Sequence, residues 1–233
     1  MKYVIRFKKT GVICYTSHLD IMKVFKRSFK RAGIMLAYSQ GFNPHPKMGF
    51  AQPLSLGYVG LDEYIEFETA ESEEGRSAQE ILDIMRSLMP EGLELLSIEA
   101  ARHVKTLAAN TVAADYTIVI PFTEDPAGTE PQISMDPRVL WQEYMGQDEI
   151  FALKKQKKKK EPVLVNIRPK IRKLVFYPSK EGLKIETTLD SGSDSNLSPE
   201  LVITTILEKF GLSTPRSEVQ VTRTKIHFKE HLT

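Results

Sequence analysis

Two stretches that open with a serine three positions ahead of an acid constrain this chain more than any other feature. Ser17-His-Leu-Asp20 and Ser77-Ala-Gln-Glu80 each match a capping box. In that motif the two side chains take up backbone N–H groups that the first helical turn leaves unpaired. Behind Ser17, residues Ile21, Val24, Phe25, Phe29 and Ala32 fall on one side of a helix, and Gly33 closes it. Behind Ser77, residues Ile81, Leu82, Ile84, Met85 and Leu88 make a second apolar face, ended by Pro90 and Gly92.

Strand-like runs surround both helices. Tyr3 to Phe7 alternates, and Val12 to Tyr15 extends or partners it. Ile34 to Tyr38 reads as extended, and Met48 to Leu56, interrupted by Pro53, as an edge or irregular strand. Glu63 to Thr69 alternates apolar residues with acids, and Leu93 to Ala100 comes after the second helix. The resulting order, β-α-β-β-α-β, is that of a ferredoxin-like split unit.

The remainder repeats the order without a residue-level repeat. Tyr116 to Phe122 is a strand, Glu124 to Ser134 a loop, and Asp136-Pro137 caps a short helix through Met145. Phe151 to Leu153, Val163 to Ile167 and Lys173 to Tyr177 are strand-like, and Leu183 to Leu189 returns from a turn at Pro178 to Gly182. After the polar loop Ser191 to Asn196, Ser198-Pro199 opens a helix closed by Gly211, and Val219 to Phe228 is the last strand. The expected fold is α+β: two ferredoxin-like (βαββαβ) units packed side by side, 1–108 and 109–233, with a lysine-rich insertion at 154–160.

The length of 233 residues allows a substantial core. Lys and Arg exceed Asp and Glu by only 32 to 30, so any affinity for nucleic acid must come from where the cations stand. A single cysteine, Cys14, makes neither an internal disulfide nor an iron–sulfur centre. No apolar stretch approaches a membrane span and none resembles a signal segment, so a cytoplasmic, membrane-free protein is expected.

Charge placement singles out the first helix. Lys23, Lys26, Arg27, Lys30 and Arg31 recur at i, i+3, i+4, i+7 and i+8, opposite the apolar face and without interspersed acids. Like charges at that spacing cost helix stability, so the pattern points to phosphate binding as much as to a solvated face. The loop Ser39-Gln-Gly-Phe-Asn-Pro-His-Pro-Lys47 is the second candidate. Gly41 permits positive φ, and Pro44 and Pro46 restrain His45 between them. Phe42 beside Gln40 and Asn43 combines a stacking ring with amide donors and acceptors, the chemistry that recognises an unpaired base. Lys47 adds a cation. A rigid connecting loop with Phe42 packed inward is the bland alternative.

His18 and His45 are the candidates for acid–base chemistry or, with Asp20, for metal ligation. Neither a HExxH nor a CxxC-type spacing is present, and His18 and Asp20 point in different helical directions, so no metal site is assigned. The lysine block of 154–160 and the segment Asn166-Ile-Arg168-Pro-Lys170 offer further cations, Arg168 among them, for phosphate or for the other unit. Cys14 reads as a core residue of a strand, and Trp141 and Tyr144 as core. His103, His227 and His231 lack evident partners.

The segment YTSHLDIMKVFKRSFKRAGIMLAYSQGFNPHPKMGFAQPLSLG resembles the N-terminal signature of the radical-SAM-linked protein family of bacteria. VNIRPKI and SGSDSNLSPELV resemble its later segments. The resemblance implies a protein encoded beside, or fused behind, a radical SAM protein that carries its own iron–sulfur and cobalamin-binding modules. Its genes neighbour those for ribonuclease and ribosomal proteins, which implies RNA. SAM, cluster and cobalamin are then expected only on the partner, and no cofactor on this chain. The expected function is a non-catalytic accessory that binds tRNA or rRNA for modification. Two alternatives stand beside it: an enzyme using His18 and His45 on RNA or a small molecule, and a protein-docking module.

Overall fold

The computed structural model describes residues 1–71, 75–101, 105–123, 133–155 and 161–229. Most of the lysine block (156–160), most of the 124–134 loop, His103 and His231 lie outside the described residues. In chain order the elements are β1 (Lys2–Lys9), α1 (His18–Arg31), β2 (Met48–Phe50), β3 (Val59–Glu68), α2 (Ala78–Leu88), β4 (Leu93–Ala100) and α3 (Leu107–Asn110). They continue with β5 (Thr111–Pro121), α4 (Pro137–Met145), β6 (Phe151–Lys154), β7 (Val163–Asn166), β8 (Ile171–Pro178), β9 (Gly182–Asp190), α5 (Pro199–Phe210) and β10 (Gln220–Phe228). The protein is therefore α+β, with antiparallel strand pairing.

The chain forms two compact units, Met1–Val112 together with Arg223–Thr233, and Ala113–Thr222. A division of the sequence after residue 108 leaves the last strand wholly in the second half. The structure instead returns Arg223–Thr233 to the first unit, because Arg223 and Ile226 are buried against partners there.

In the first unit the strands take the order β4-β1-β3-β10, and β2 also pairs with β3. Both serines cap their helices, but only the second pair completes the reciprocal box, because the Asp20 carboxyl is taken by the Ser17 hydroxyl and Lys23. Ser17 accepts the N–H of Asp20, and Ser77 and Glu80 exchange both bonds of a capping box. The apolar faces of α1 and α2 cover β1 and β3 through Phe25, Phe29, Ile81 and Met85, against Ile5, Phe7 and Phe67. Phe29 and Phe67 have ring centroids 4.5 Å apart. Burial of each such side chain contributes roughly 1.5–3 kcal/mol. Gly92 is obligatory at its turn: its φ is +87°, and a Cβ there would lie 2.3 Å from the Thr10 carbonyl oxygen.

Two local expectations fail. Val12 to Tyr15 belongs to a 3₁₀ turn, Gly11–Tyr15, with Cys14 buried in it as a core residue. Ile34 to Tyr38 makes only isolated bridges, Leu36 to Thr69 and Tyr38 to Pro46, because Gly33 and Pro46 bracket a segment too short to sustain a ladder.

The second unit pairs β5 with β9 and β9 with β8, while β6 and β7 form a separate two-stranded ladder. Its core includes Ile118, Tyr144, Phe176, Ile185 and Ile206. The Tyr144 hydroxyl meets Thr205 Oγ1 at 2.7 Å, which satisfies a fully buried phenol. Trp141, expected in the core with Tyr144, is instead exposed on α4.

Candidate nucleic-acid interface

Helix α1 buries Ile21, Phe25, Ser28 and Phe29 and leaves all five cations of its opposite face in solvent. Lys23 turns back to Asp20, Nζ to Oδ1 at 2.9 Å. Asp20 also accepts the Ser17 hydroxyl at 2.7 Å, and these two bonds hold its carboxyl below the usual range. Lys26, Arg27, Lys30 and Arg31 form no salt bridge among the described residues.

The loop beyond α1 is closed by its own backbone. Ser39 N–H donates to the His45 carbonyl at 2.8 Å, His45 N–H to Ser39 Oγ at 3.0 Å, and Lys47 N–H to the Ala37 carbonyl at 2.8 Å. Gly41 takes a φ of +128°, which a Cβ would strain. Gln40, Phe42, Asn43 and His45 stand exposed on this frame, Phe42 completely so. A free phenyl ring at the tip of a hydrogen-bonded loop has no packing role, contrary to an inward Phe42. Lys47 is drawn to Glu68 at 2.7 Å.

Arg168 lies in the second unit, in a 3₁₀ turn. Its Nε donates to the Met145 carbonyl at 3.0 Å, where it satisfies an open carbonyl at the end of α4.

His18 stands at the first turn of α1 with its ring edge-on to Phe50, centroids 5.0 Å apart. It lines a pocket of about 20 Å³ whose other polar walls are Lys9, Gln52 and Glu63, and whose apolar walls include Phe7, Phe50 and Leu54. Burial first, and then the charges of Lys9 and Arg223, lower the His18 pKa, so its imidazole is neutral at pH 7. His45 is not among the residues lining this pocket, and the described residues contain no group of three or more His, Cys, Asp and Glu able to hold a metal ion.

The charges around the pocket form no motif in the sequence. Lys9 is buried, its Nζ donating to the carbonyls of Cys14 at 3.1 Å and Thr16 at 3.0 Å, and burial lowers its pKa. Glu63 is clasped by Arg223, Nε to Oε1 at 2.8 Å and Nη2 to Oε2 at 2.5 Å. The same guanidinium reaches the carbonyls of Gln52 at 3.0 Å and Pro53 at 3.3 Å. Gly60 makes room for this pair: a Cβ at that position would fall 2.6 Å from Glu63 Cγ. Two more acids of β3 are buried and matched. Asp62 pairs with Arg6 at 2.5 Å, and Glu66 with Lys2 at 2.7 Å. The one sequence signal for these is a strand with acids at alternate positions, which suggests a solvent face until basic partners are known.

The described residues thus define an α+β protein with an exposed basic helix face, an exposed aromatic loop and a small charged pocket in one unit. No helix among the described residues is long and apolar enough to cross a membrane. The chain belongs to the family described as an uncharacterized protein conserved in bacteria (DUF2344), whose model matches residues 2–199.

No curated protein matches the chain. Among solved structures, a chain in the crystal structure of a Cbf5-Nop10-Gar1 complex is similar to it, with a TM-score of 0.53 and 11% identity. That match covers 98% of this chain and 50% of the other, so this chain spans half the length of its neighbour. An unknown protein from Galdieria sulphuraria matches at a TM-score of 0.29 and 11% identity, over 95% and 97% of the two chains. The first likeness concerns the fold alone.

Proposed function

We propose that the protein binds single-stranded RNA through its first unit and presents it to a radical SAM enzyme that performs the chemistry. The observation that carries this reading is the face of α1, where Lys26, Arg27, Lys30 and Arg31 are exposed and form no salt bridge among the described residues. A chain of net charge +2 that leaves these cations together and unneutralised holds a local field for phosphates. Phe42, exposed beside Gln40 and Asn43, supplies a stacking surface for a base. The radical SAM partner rests on the resemblance of the Ser17–Phe50 segment, and cluster, SAM and cobalamin belong to that partner.

The strand order supports a ferredoxin-like reading of the first unit. β4 pairs with β1, β1 with β3 and β3 with β2, all as antiparallel neighbours, while β3 also neighbours β10. A duplicated ferredoxin-like architecture is accordingly part of the proposal.

A filter-binding titration with single-stranded RNA at two salt concentrations tests the function. Binding that weakens steeply with salt is expected; absence of binding at low salt removes the reading. Co-purification with the neighbouring radical SAM protein tests the partner separately.

A further inference from the structure

We infer that the hairpin of β6 and β7 in the second unit docks an extended segment of a partner protein, one that alternates apolar and acidic side chains and adds to the hairpin as a third strand. The inference rests on the partner part of the reading above and gives that partner a place to bind.

The register of the hairpin leads there. Leu153 stands directly opposite Leu164, and Ala152 opposite Val165. Side chains alternate between the two faces, so Phe151, Leu153 and Leu164 share one face, and Ala152 and Val165 the other. The second face is the inner one: Ala152 is buried, and β6 packs against α5. On the outer face Leu153 is 64% exposed, Leu164 57% and Phe151 47%. Single apolar residues are ordinary on a surface, but an opposed leucine pair with a phenylalanine beside it is a patch.

The hairpin is held at its root. Ile167 N–H donates to the Ile150 carbonyl at 2.8 Å, and Asn166 Oδ1 accepts the N–H groups of Ile150 at 3.2 Å and Arg168 at 3.0 Å. The face is thus set before a partner arrives, which lowers the ordering cost of binding.

Backbone and charge together select the occupant. β6 and β7 pair only with each other among the described residues, so each has an edge whose N–H and C=O groups no third strand takes. A strand added at such an edge takes up those groups and lays its alternate side chains beside Leu153 or Leu164. A lipid surface would leave the edge groups unpaired in hydrocarbon. Lys154 and Lys155 stand exposed at and just beyond the end of β6, and four more lysines precede Glu161 in the sequence. These cations attract acids on the incoming strand and set a second copy of the hairpin against its own charge. RNA would pair with the lysines and leave the leucines in water.

The test uses the full chain and two probes, the radical SAM protein encoded beside it and a synthetic peptide of alternating valine and glutamate. Affinity is read by calorimetric titration, and amide hydrogen exchange of 151–154 and 163–166 is followed with and without each probe. Saturable binding with slowed exchange in the hairpin is expected. Leu153→Thr with Leu164→Thr keeps strand propensity and should weaken binding about ten-fold, with an unchanged melting temperature because both side chains are exposed. Lys154→Glu with Lys155→Glu should weaken it as well. Binding of the radical SAM protein that neither pair of substitutions weakens, with no slowing of exchange, overturns the docking face and leaves the partner reading standing. Binding of the peptide at the hairpin without binding of the radical SAM protein overturns the partner reading and leaves the docking face. Binding of neither overturns both. Self-association in sedimentation, or binding to phosphatidylglycerol vesicles, that is lost with the two leucines overturns the choice of a partner strand.

Discussion

Arg223 Nε donates to Glu63 Oε1 at 2.8 Å, and Nη2 to Oε2 at 2.5 Å, across 160 positions of sequence, with side chains only 2% and 4% exposed. A bidentate pair this deeply buried adds little net stability, but losing one half leaves an unpaired charge in the core. Arg223→Met should therefore destabilise the protein by about 3–5 kcal/mol. Arg223→Met combined with Glu63→Leu should recover much of that loss, as read by urea denaturation. Equal stability of the single and double variants would contradict the coupling.

Gly60 tests the same pair from the side. The Cβ of Gly60→Ala would lie 2.6–2.9 Å from three Glu63 side-chain atoms, so the carboxylate must shift out of its fork with Arg223. A cost of about 1–3 kcal/mol is expected, as for other overpacked core sites. In the Arg223→Met, Glu63→Leu background the cost should differ, and a double-mutant cycle measures the difference.

Stability should depend on pH through His18. Its folded pKa lies below the unfolded value of 6.5, so the unfolded chain takes up the proton first as pH falls. The contribution is complete above about pH 6.5 and is lost progressively as pH drops toward the folded pKa. Urea midpoints measured from pH 7.5 to 5 should fall in the wild type, and His18→Gln should flatten that part of the curve. An unchanged slope in His18→Gln would remove the assignment.

On the basic face, Lys26→Gln, Arg27→Gln, Lys30→Gln and Arg31→Gln should weaken RNA binding irrespective of sequence. Each phosphate contact removed should reduce the slope of log K against log salt by roughly 0.7. These variants should move the salt slope itself. Because the four side chains are exposed and form no salt bridge among the described residues, thermal stability should be unchanged or slightly raised by relief of like-charge repulsion.

Two kinds of residue separate in this chain. Ser17, Ser77 and Glu80 act on backbone groups within three positions, and Phe25 and Phe29 keep to a helical period, so their roles are legible in the sequence. The closed loop of Ser39 to Lys47 is legible for the same reason, since glycine and proline restrict the chain where they stand. Lys9, Gln52, Glu63 and Arg223 form no local pattern. Asp62 and Glu66 share one face of β3 and Glu63 stands on the other, a pattern that suggests solvent on both faces, yet each is buried.

The caps, the amphipathic helices, the basic face of α1 and most of the succession of elements along the chain are written in the residues themselves. Hydrogen bonding to near neighbours and side-chain periodicity act over a few residues and leave a readable trace. Which acids lose their water, which cations meet them, and that His18 lines a pocket are settled only when the chain is folded. Whether a charge can be buried depends on a partner brought from elsewhere in the chain, as Arg223 is brought to Glu63.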